Sequence, residues 1–260
     1  MSEVFNLVNL KGGVGKTVST INIAYSMSAM GKSVLIIDTD SQGNILTALG
    51  RNPDTSFPTL ADIMSAAIDG KISYYDVRDC IMRIGSVDVI PANYLLAGLD
   101  LKLMNAMARE YVLKGIVEYV RKDYDYILID SPPSLGVIVM NSLTASDYVL
   151  IPVEAQYLSF ESLKVMLDTV NITKLKLNPN LNVGIFITKY QSNANICKAI
   201  LEKTREMYGE SVKVFDTPVP YSVRAAEQTL YGKSIVELMP KHKISAAYAQ
   251  IVKELIGYGR

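Results

Sequence analysis

The sequence is poor in the residues that metal clusters, disulfides and hydrolytic triads require. Its two cysteines, Cys80 and Cys197, lie far apart and form no C-x-x-C pair, so we expect a buried thiol at each position. The single histidine, His242, argues against a metal cluster and against Ser–His–Asp chemistry. No apolar run is long enough to cross a membrane, and from residues 1–4 we expect no signal peptide. The composition, with 49% hydrophobic and 20% charged residues, is that of a soluble globular protein.

An excess of charge of one sign is also lacking, because 26 Lys and Arg balance 26 Asp and Glu. The charges are nevertheless unevenly distributed. Residues 1–180 carry 15 basic and 19 acidic side chains, whereas residues 181–260 carry 11 and 7. Charge imbalances of this size are common on ordinary solvated surfaces. The C-terminal third is nevertheless the part of the chain where we expect an anion-binding face.

The most informative motif is a glycine-rich run at residues 10–17, with the sequence LKGGVGKT. It follows an apolar stretch from Val4 to Leu10 that predicts a buried strand. It opens a segment from Thr17 to Met30 in which apolar residues recur at helical spacing. Strand, glycine loop and helix, in this order, are the context that a phosphate-binding loop requires.

Each residue type in this run has a physical use in binding phosphate. Gly12, Gly13 and Gly15 permit tight turns without a Cβ clash, and their N–H groups can form a nest of donors for phosphate oxygens. Lys16 can reach the β- and γ-phosphates, and the Thr17 hydroxyl can bind Mg²⁺. The run therefore predicts a nucleotide site.

Two positions depart from the ordinary phosphate-binding loop. Leu10 occupies the place of the usual first glycine, and a second lysine, Lys11, precedes the glycine pair. This is the deviant Walker A form.

Aspartates follow two other apolar strands. The run from Tyr126 to Asp130 is the Walker B arrangement, and the rigid turn at residues 131–134 can sense a γ-phosphate. The run from Val34 to Asp38 ends in one aspartate, and Asp40 follows two positions later. Of this pair, one can support the Mg²⁺ shell while the other positions the attacking water. A lone aspartate after a strand is usually a helix N-cap, but three at the strand ends of one sheet favour catalysis.

The order of elements predicts the fold class. We predict strands at seven short runs rich in Val, Ile and Leu: Val4–Asn9, Ser33–Asp38, Val87–Pro91, Tyr126–Asp130, Tyr148–Val153, Val183–Thr188 and Val212–Phe215. We predict helices at Thr17–Met30, Leu95–Met107, Tyr111–Lys122, Val137–Ala145, Phe160–Leu177, Asn195–Tyr208, Val223–Leu230 and Ile244–Ile256. This alternation indicates an α/β, doubly wound, mostly parallel sheet with helices on both faces. Residues 50–86 are less regular and are interpreted as a surface excursion with short helices. No linker divides residues 1–260, so we expect a single domain.

Together these motifs resemble those of the ParA/MinD group of P-loop ATPases, and among them the small ParA (Soj-like) partition proteins. The similarity extends over essentially the whole chain and includes three further runs, Asp88–Asn93, Asp130–Gly136 and Ile151–Tyr157. It implies a P-loop NTPase fold, ATP and Mg²⁺ as cofactors, and ATP hydrolysis that is slow without a partner protein.

The resemblance also implies roles for the site residues. In relatives the lysine that matches Lys11 crosses into the partner subunit and neutralises phosphate charge there, giving an ATP-sandwich homodimer. Lys16 would bind the β- and γ-phosphates in its own subunit, and Thr17 would hold Mg²⁺. Asp40 would polarise or orient the water. The catalytic residues implied are therefore Lys11, Lys16 and Asp40.

Two further aspartates, Asp38 and Asp130, would act through the water shell of the metal, with Thr17 as the third metal-site residue. Val18 replaces the threonine that commonly follows this Lys–Thr pair, so we expect a missing hydroxyl contact and weaker phosphate binding. The nucleotide-binding residues implied are Lys11, Gly12, Gly13, Val14, Gly15, Lys16, Thr17, Val18, Pro218 and Pro220.

The base that the site accepts can be argued separately. The run Thr188-Lys189-Tyr190-Gln191 resembles the Thr-Lys-x-Asp run with which related GTPases bind guanine. Gln191 stands where the carboxylate should be, and a neutral amide cannot make the same charge-assisted pair with guanine. With Pro218 and Pro220 as the other wall of the pocket, adenine is favoured.

In Soj-like relatives the ATP dimer binds DNA without sequence preference, through basic residues near the C-terminus. Arg224 matches one of the DNA-binding arginines of the family. A second family arginine falls near Asn193, so this sequence departs from the family pattern there. Our candidate DNA-binding residues are Arg224, Lys189 and Lys198. Other lysines that could share this role are Lys203, Lys233, Lys241 and Lys243. The resemblance further implies a ParB-type activator and a cytoplasmic location on the nucleoid.

Two alternatives remain open. A MinD-like or other cargo-positioning ATPase would act on a membrane or a protein complex, and membrane binding would require an amphipathic C-terminal helix. The segment from Ser245 to Ile256 has an ordinary apolar face and few basic residues, so we expect it to pack on the sheet and expect no membrane partner. A less favoured alternative is a small-molecule kinase or ligase, which would turn over as a monomer.

Overall fold

Eight strands form one sheet within the described part of the chain. The structure is a computed structural model, and it describes residues 2–52, 57–156 and 159–258. The strands are β1 (Glu3–Leu7), β2 (Val34–Asp38), β3 (Met82–Ile84), β4 (Val87–Ile90), β5 (Tyr126–Asp130), β6 (Tyr148–Glu154), β7 (Asn182–Thr188) and β8 (Lys213–Val214). Their order is β3-β4-β2-β5-β1-β6-β7-β8, and every neighbouring pair is parallel except β3 and β4.

Most of the helices lie between these strands along the chain, and the last three follow β8. They are α1 (Lys16–Ala29), α2 (Asn44–Ala48), α3 (Leu60–Ile68), α4 (Tyr74–Asp79), α5 (Leu96–Met104), α6 (Val112–Val120), α7 (Val137–Ala145), α8 (Ser159–Lys176), α9 (Asn195–Tyr208), α10 (Val223–Tyr231), α11 (Ile235–Leu238) and α12 (Lys243–Tyr258). The predicted α/β, doubly wound, mostly parallel sheet is confirmed.

Side chains of β1 show why helices cover both faces of the sheet. Successive residues of a strand point to opposite faces. Phe5 and Leu7 pack into one buried cluster with Ile21 of α1 and Ile251 of α12. Val4, the residue before Phe5, belongs to a cluster on the other face that includes α3, α5 and α6. A third cluster joins β6 and β7 to α8 and α9.

The predicted strands and helices are found with bounds that differ by at most three residues from those expected. The sequence prediction missed β3, which has three residues and is therefore too short to show an alternating pattern. It pairs with β4 through the two-residue turn Gly85-Ser86, where Gly85 has a φ of +57°. A glycine in the first position of such a turn is a hairpin signal that was present in the sequence.

The irregular segment at residues 50–86 contains the expected short helices, α3 and α4. Its description as a surface excursion is wrong for α3, because Leu60, Ile63 and Met64 are buried in the core. Residues 53–56 of this segment, and Tyr157 of the run at 151–157, lie outside the described residues. The short helices α2 and α11 were not predicted.

The C-terminal helix packs on the sheet, as expected. Ile244, Tyr248, Ile251 and Leu255 of α12 are buried in the same cluster as α1, and the hydroxyl groups of Tyr248 and Ser19 lie 3.0 Å apart. Across the ranges that the structure describes, none of the helices combines the length and apolarity needed to span a membrane.

Candidate nucleotide-binding site

A glycine loop connects β1 to α1 at the carboxyl edge of the sheet. Gly13 and Gly15 have φ angles of +74° and +93°, which residues with a Cβ rarely adopt. A Cβ on Gly13 would meet no atom within 4 Å, so the backbone angle rather than lack of space requires glycine there. The helix that follows begins at Lys16, and a helix N-terminus behind such a loop favours an anion.

The first turn of α1 lies over the end of β5. The Thr17 hydroxyl donates to Asp130 Oδ2 at 2.7 Å, and the Thr20 hydroxyl donates to Asp130 Oδ1 at 2.8 Å. Lys16 is only 7% exposed, and its Nζ donates to the Lys11 carbonyl oxygen at 3.4 Å. Burial lowers the pKa of Lys16, although Asp130 and Asp40 act in the opposite direction. The predicted phosphate-binding lysine, the metal-binding hydroxyl and the Walker B aspartate therefore lie together.

The strand-end aspartates are neighbours. Asp38 ends β2 and Asp130 ends β5, and the two residues are register partners in the parallel pair. Both side chains are almost fully buried. Asp38 accepts hydrogen bonds from the backbone N–H of Asp40 at 3.0 Å and of Ile45 at 3.2 Å. Adjacent parallel strands thus bring together carboxylates that are 92 positions apart in the sequence.

Both carboxyls are held in an environment that disfavours their charge. Burial raises the pKa of Asp130 to about 6, even though hydrogen bonds from Thr17 and Thr20 lower it. Burial likewise raises the pKa of Asp38 well above its usual range, and the nearby charge of Asp130 adds to the effect. A cation close to these groups would favour their ionised forms.

The aspartates do not make a complete metal site by themselves. In the described ranges, no three His, Cys, Asp or Glu side chains are grouped so as to hold an ion. Mg²⁺ prefers oxygen ligands, keeps several of its waters, and is commonly bound through one or two protein oxygens together with substrate phosphates. The Thr17 hydroxyl, with Asp38 and Asp130 behind it, fits that pattern.

Asp40 lies just beyond the end of β2. Its Oδ1 accepts a hydrogen bond from the N–H of Gln42 at 3.0 Å, which fixes the side chain in a turn, and the residue is 8% exposed. Its charge acts on both Lys16 and Asp130. A carboxylate held in this way at the edge of the site can accept a hydrogen bond from a water molecule.

Lys11 lies at the opposite, more exposed rim of the loop. Its Nζ forms an ion pair with Glu154 Oε2 at 3.0 Å and also contacts Gln156 Oε1 at 3.2 Å and Ser159 Oγ at 3.4 Å. Lys189 pairs with the other oxygen of Glu154 at 3.1 Å. The structure thus shows Lys11 bound to its own subunit.

The segments predicted to hold the base lie side by side. Tyr190 and Pro220 form an isolated parallel bridge, in which the Tyr190 N–H donates to the Val219 carbonyl at 2.9 Å and the Tyr221 N–H donates to the Tyr190 carbonyl at 2.9 Å. The Thr188 hydroxyl donates to the Val14 carbonyl at 2.8 Å, which ties this region to the glycine loop. Pro218 and Pro220 are partly exposed beside it.

Comparison with known proteins gives the family. A family model described as an AAA domain matches residues 2–183. The sporulation initiation inhibitor protein Soj of Bacillus subtilis is 35% identical over 262 residues, and the match covers 100% of both chains. The chain belongs to the ParA/MinD group of P-loop ATPases.

Two further comparisons support this assignment to the ParA/MinD group. The chromosome partitioning protein ParA of Caulobacter vibrioides is 32% identical over 264 residues, covering 99% of this chain and 95% of that protein. A crystal structure of cobyrinic acid a,c-diamide synthase from Mycobacterium smegmatis, with bound ADP and magnesium, has a TM-score of 0.85 at 28% identity. The similarity covers 100% of this chain and 97% of that one.

The candidate DNA-binding residues of this ParA/MinD-group chain are in different surroundings. Arg224 is exposed at the start of α10, where its Nη1 lies 3.3 Å from Met239 Sδ. Lys198 is exposed on α9. Lys189 instead pairs with Glu154 beside the glycine loop. The structure therefore places Lys189 with the nucleotide-site residues.

Sequence reasoning assigned no role to three residues that shape this ParA/MinD-type site. Asn9, fully buried, donates to the Pro152 carbonyl at 2.8 Å and accepts from the Lys11 N–H at 3.0 Å, so it fixes the entry to the loop. Thr20 holds the second oxygen of Asp130. Glu154 lies in the run at 151–157, but its position at the end of a strand does not indicate from the sequence that it pairs with Lys11 and Lys189.

Proposed function

We propose that this protein is a DNA-partition ATPase that forms an ATP-sandwich dimer, binds DNA without sequence preference and is reset by hydrolysis stimulated by a ParB-type activator. The observation that carries the proposal is the contrast between two lysines on one glycine loop. Lys16 is buried over the aspartates, whereas the side chain of Lys11 is 28% exposed at the rim. This contrast supports a role for Lys16 at the nucleotide of its own subunit and a role for Lys11 at the nucleotide of a second subunit.

The nucleotide site of this chain fits ATP and Mg²⁺. The Lys16 ammonium would offset charge on the β- and γ-phosphates, and the Thr17 hydroxyl would turn from Asp130 to the metal. Asp38 and Asp130 would accept hydrogen bonds from water on the metal. When bound, Mg²⁺ would neutralise the charge that develops on the transferred γ-phosphoryl group and on the ADP leaving group.

Asp40 would position the water that attacks the γ-phosphate. Its carboxylate is held by the Gln42 N–H at 3.0 Å and does not depend on the metal for its orientation. Hydrolysis would remain slow until a partner completes the charge stabilisation around the phosphate, because positioning alone supplies only part of the rate enhancement.

Replacing Lys11 with alanine tests the sandwich dimer. We expect ATP-dependent dimerisation to weaken by about a hundredfold, because a charge-assisted contact to the facing nucleotide is lost. ATP binding by the monomer should change by no more than a few fold. Sedimentation equilibrium with a slowly hydrolysed ATP analogue measures the first, and titration calorimetry measures the second. Dimerisation equal to that of the unaltered protein would contradict the role of Lys11 in the sandwich, whereas an unaltered protein that stays monomeric with ATP would favour a kinase or ligase that works as a monomer.

Replacing Arg224 with alanine tests the DNA face. We expect the affinity of the ATP dimer for a random duplex to fall by roughly tenfold, and the salt slope to decrease by about two, since each dimer loses two phosphate contacts. Arg205→Ala is the matched control, because Arg205 already pairs with Asp216 at 3.1 Å. Equal effects of the two substitutions would remove Arg224 from the DNA-binding face.

A positioning ATPase for another cargo would share the same nucleotide site. It would show ATP-dependent binding to anionic vesicles or to a protein complex in place of DNA. Comparing vesicles and duplex DNA under identical nucleotide conditions separates the two functions.

A further inference from the structure

Glu154 is a carboxylate shared by two lysines that come from different elements. It ends β6, next to the glycine loop, and its side chain is only 11% exposed. Lys11 contacts Oε2 at 3.0 Å and Lys189 contacts Oε1 at 3.1 Å. Burial raises the pKa of Glu154, but hydrogen bonds from the two lysines outweigh it, so the net pKa lies below the usual value.

Lys189 reaches Glu154 from an unusual backbone conformation. Its φ is +52°, in the left-handed region that residues other than Gly, Asn and Asp seldom occupy. The residue before it, Thr188, is the register partner of Glu154 in the β6–β7 pair and also donates its hydroxyl to the Val14 carbonyl of the glycine loop. Such strain persists only where surrounding contacts hold it, and it is concentrated at functional sites.

Lys189, as the second cation on Glu154, makes the release of Lys11 from this carboxylate less unfavourable. If Lys11 leaves Glu154 to meet a nucleotide in another subunit, a largely buried carboxylate loses a partner, which is strongly unfavourable when nothing replaces it. With Lys189 in place, Glu154 keeps one cation throughout. Repulsion between the two ammonium groups, which share one carboxylate, further favours the release of Lys11.

We propose that Glu154 is a positioning residue that holds Lys11 within the free subunit, and that Lys189 facilitates the release of Lys11 by remaining on Glu154. The proposal rests on the proposed function, because it assumes that Lys11 acts in an ATP-bound dimer. It assigns opposite effects on dimerisation to two residues that touch each other. If the contact between Glu154 and Lys189 were purely structural, its loss should change dimerisation in the same direction whichever of the two residues is replaced.

The test is a double-mutant cycle on ATP-dependent dimerisation, measured by sedimentation equilibrium. Glu154→Gln removes the charge that holds Lys11, and we expect the dimer dissociation constant to fall by about fivefold. Lys189→Asn removes the second cation while suiting a positive φ, and we expect the constant to rise by about tenfold. The double variant should match Glu154→Gln alone, because Lys189 acts through Glu154. Glu161→Gln, an exposed glutamate of α8, is the control and should leave the constant unchanged.

A second readout does not depend on dimerisation. Labelling of the nucleotide-free monomer with acetic anhydride, followed by peptide mass spectrometry, reports how accessible the Lys11 amine is. We expect Lys11 to react several times faster in Glu154→Gln than in the unaltered protein, with Lys32 as the internal reference.

The outcomes separate the inference from the proposed function. If the unaltered protein dimerises with ATP but both substitutions change the constant in the same direction, or neither changes it, the inference is overturned while the proposed function stands. If the unaltered protein does not dimerise, the proposed function fails and the release of Lys11 fails with it, whatever the labelling shows. Unchanged Lys11 labelling in Glu154→Gln would separately refute the holding contact.

Discussion

Lys16→Ala is expected to reduce ATP affinity by about 10²–10³-fold and to abolish measurable hydrolysis. Lys16 is 7% exposed and lies within the electrostatic reach of Asp130 and Asp40, so its ammonium is the positive charge that a triphosphate would meet beside these carboxylates. Without it, phosphate oxygens would enter a buried site of negative charge. Titration calorimetry with ATP and Mg²⁺ measures the affinity, and phosphate release measures the turnover.

The matched control for this change is Lys32→Ala. Lys32 follows α1, its side chain is 41% exposed, and it pairs with Asp125 at 3.8 Å, so its loss should change neither affinity nor turnover. Thermal unfolding of both variants shows whether each remains folded. A folded Lys16→Ala protein that binds ATP as tightly as the unaltered chain would contradict the assignment of Lys16.

Asp40→Ala should reduce the rate of ATP hydrolysis by about 10²–10³-fold and leave ATP binding, dimerisation and DNA binding in place. The reason is that Asp40 lies at the edge of the site, and its proposed role is to position water. Its loss therefore removes an interaction with the attacking group and not one with the bound nucleotide. Single-turnover hydrolysis and equilibrium ATP binding, measured on the same preparation, separate the two effects.

Asp40→Asn distinguishes charge from structure in this experiment. The asparagine oxygen can still accept the hydrogen bond from Gln42 N–H, so the turn is retained while the carboxylate charge is lost. We expect the same loss of hydrolysis as in Asp40→Ala. If Asp40→Asn hydrolyses ATP at the unaltered rate, the carboxylate does not orient the water, and if both variants lose ATP binding, the role of Asp40 lies in nucleotide affinity.

Much of the site could be predicted because its residues lie at the ends of recognisable elements. The glycine loop is contiguous in sequence, and Asp38 and Asp130 each terminate an apolar strand whose carboxyl end must face the same edge of a parallel sheet. The helix at Val137–Ala145 was predicted with its observed bounds for a related reason, since it opens on an apolar run at residues 137–140 and its ends are marked by Gly136 and Ser146.

What could not be predicted depends on contacts between distant positions. Lys11 and Glu154 are 143 positions apart, and their meeting requires the order of β1 and β6 as well as a side-chain conformation. The position of Lys189 beside Glu154 depends on a positive φ that no sequence pattern indicates for lysine. The three-residue strand β3 is a different case, because it is too short to show an alternating pattern and only the turn glycine Gly85 indicates its pairing with β4.

The most direct test of the central claim is the binding of the purified protein to a random-sequence duplex across a salt series, with ATP and with ADP. The account predicts tight binding with ATP alone, weakening steeply as salt rises, because contacts to phosphates release counterions. Absence of ATP-dependent binding at low salt, in a protein that still dimerises, would contradict it and direct attention to a membrane or protein cargo.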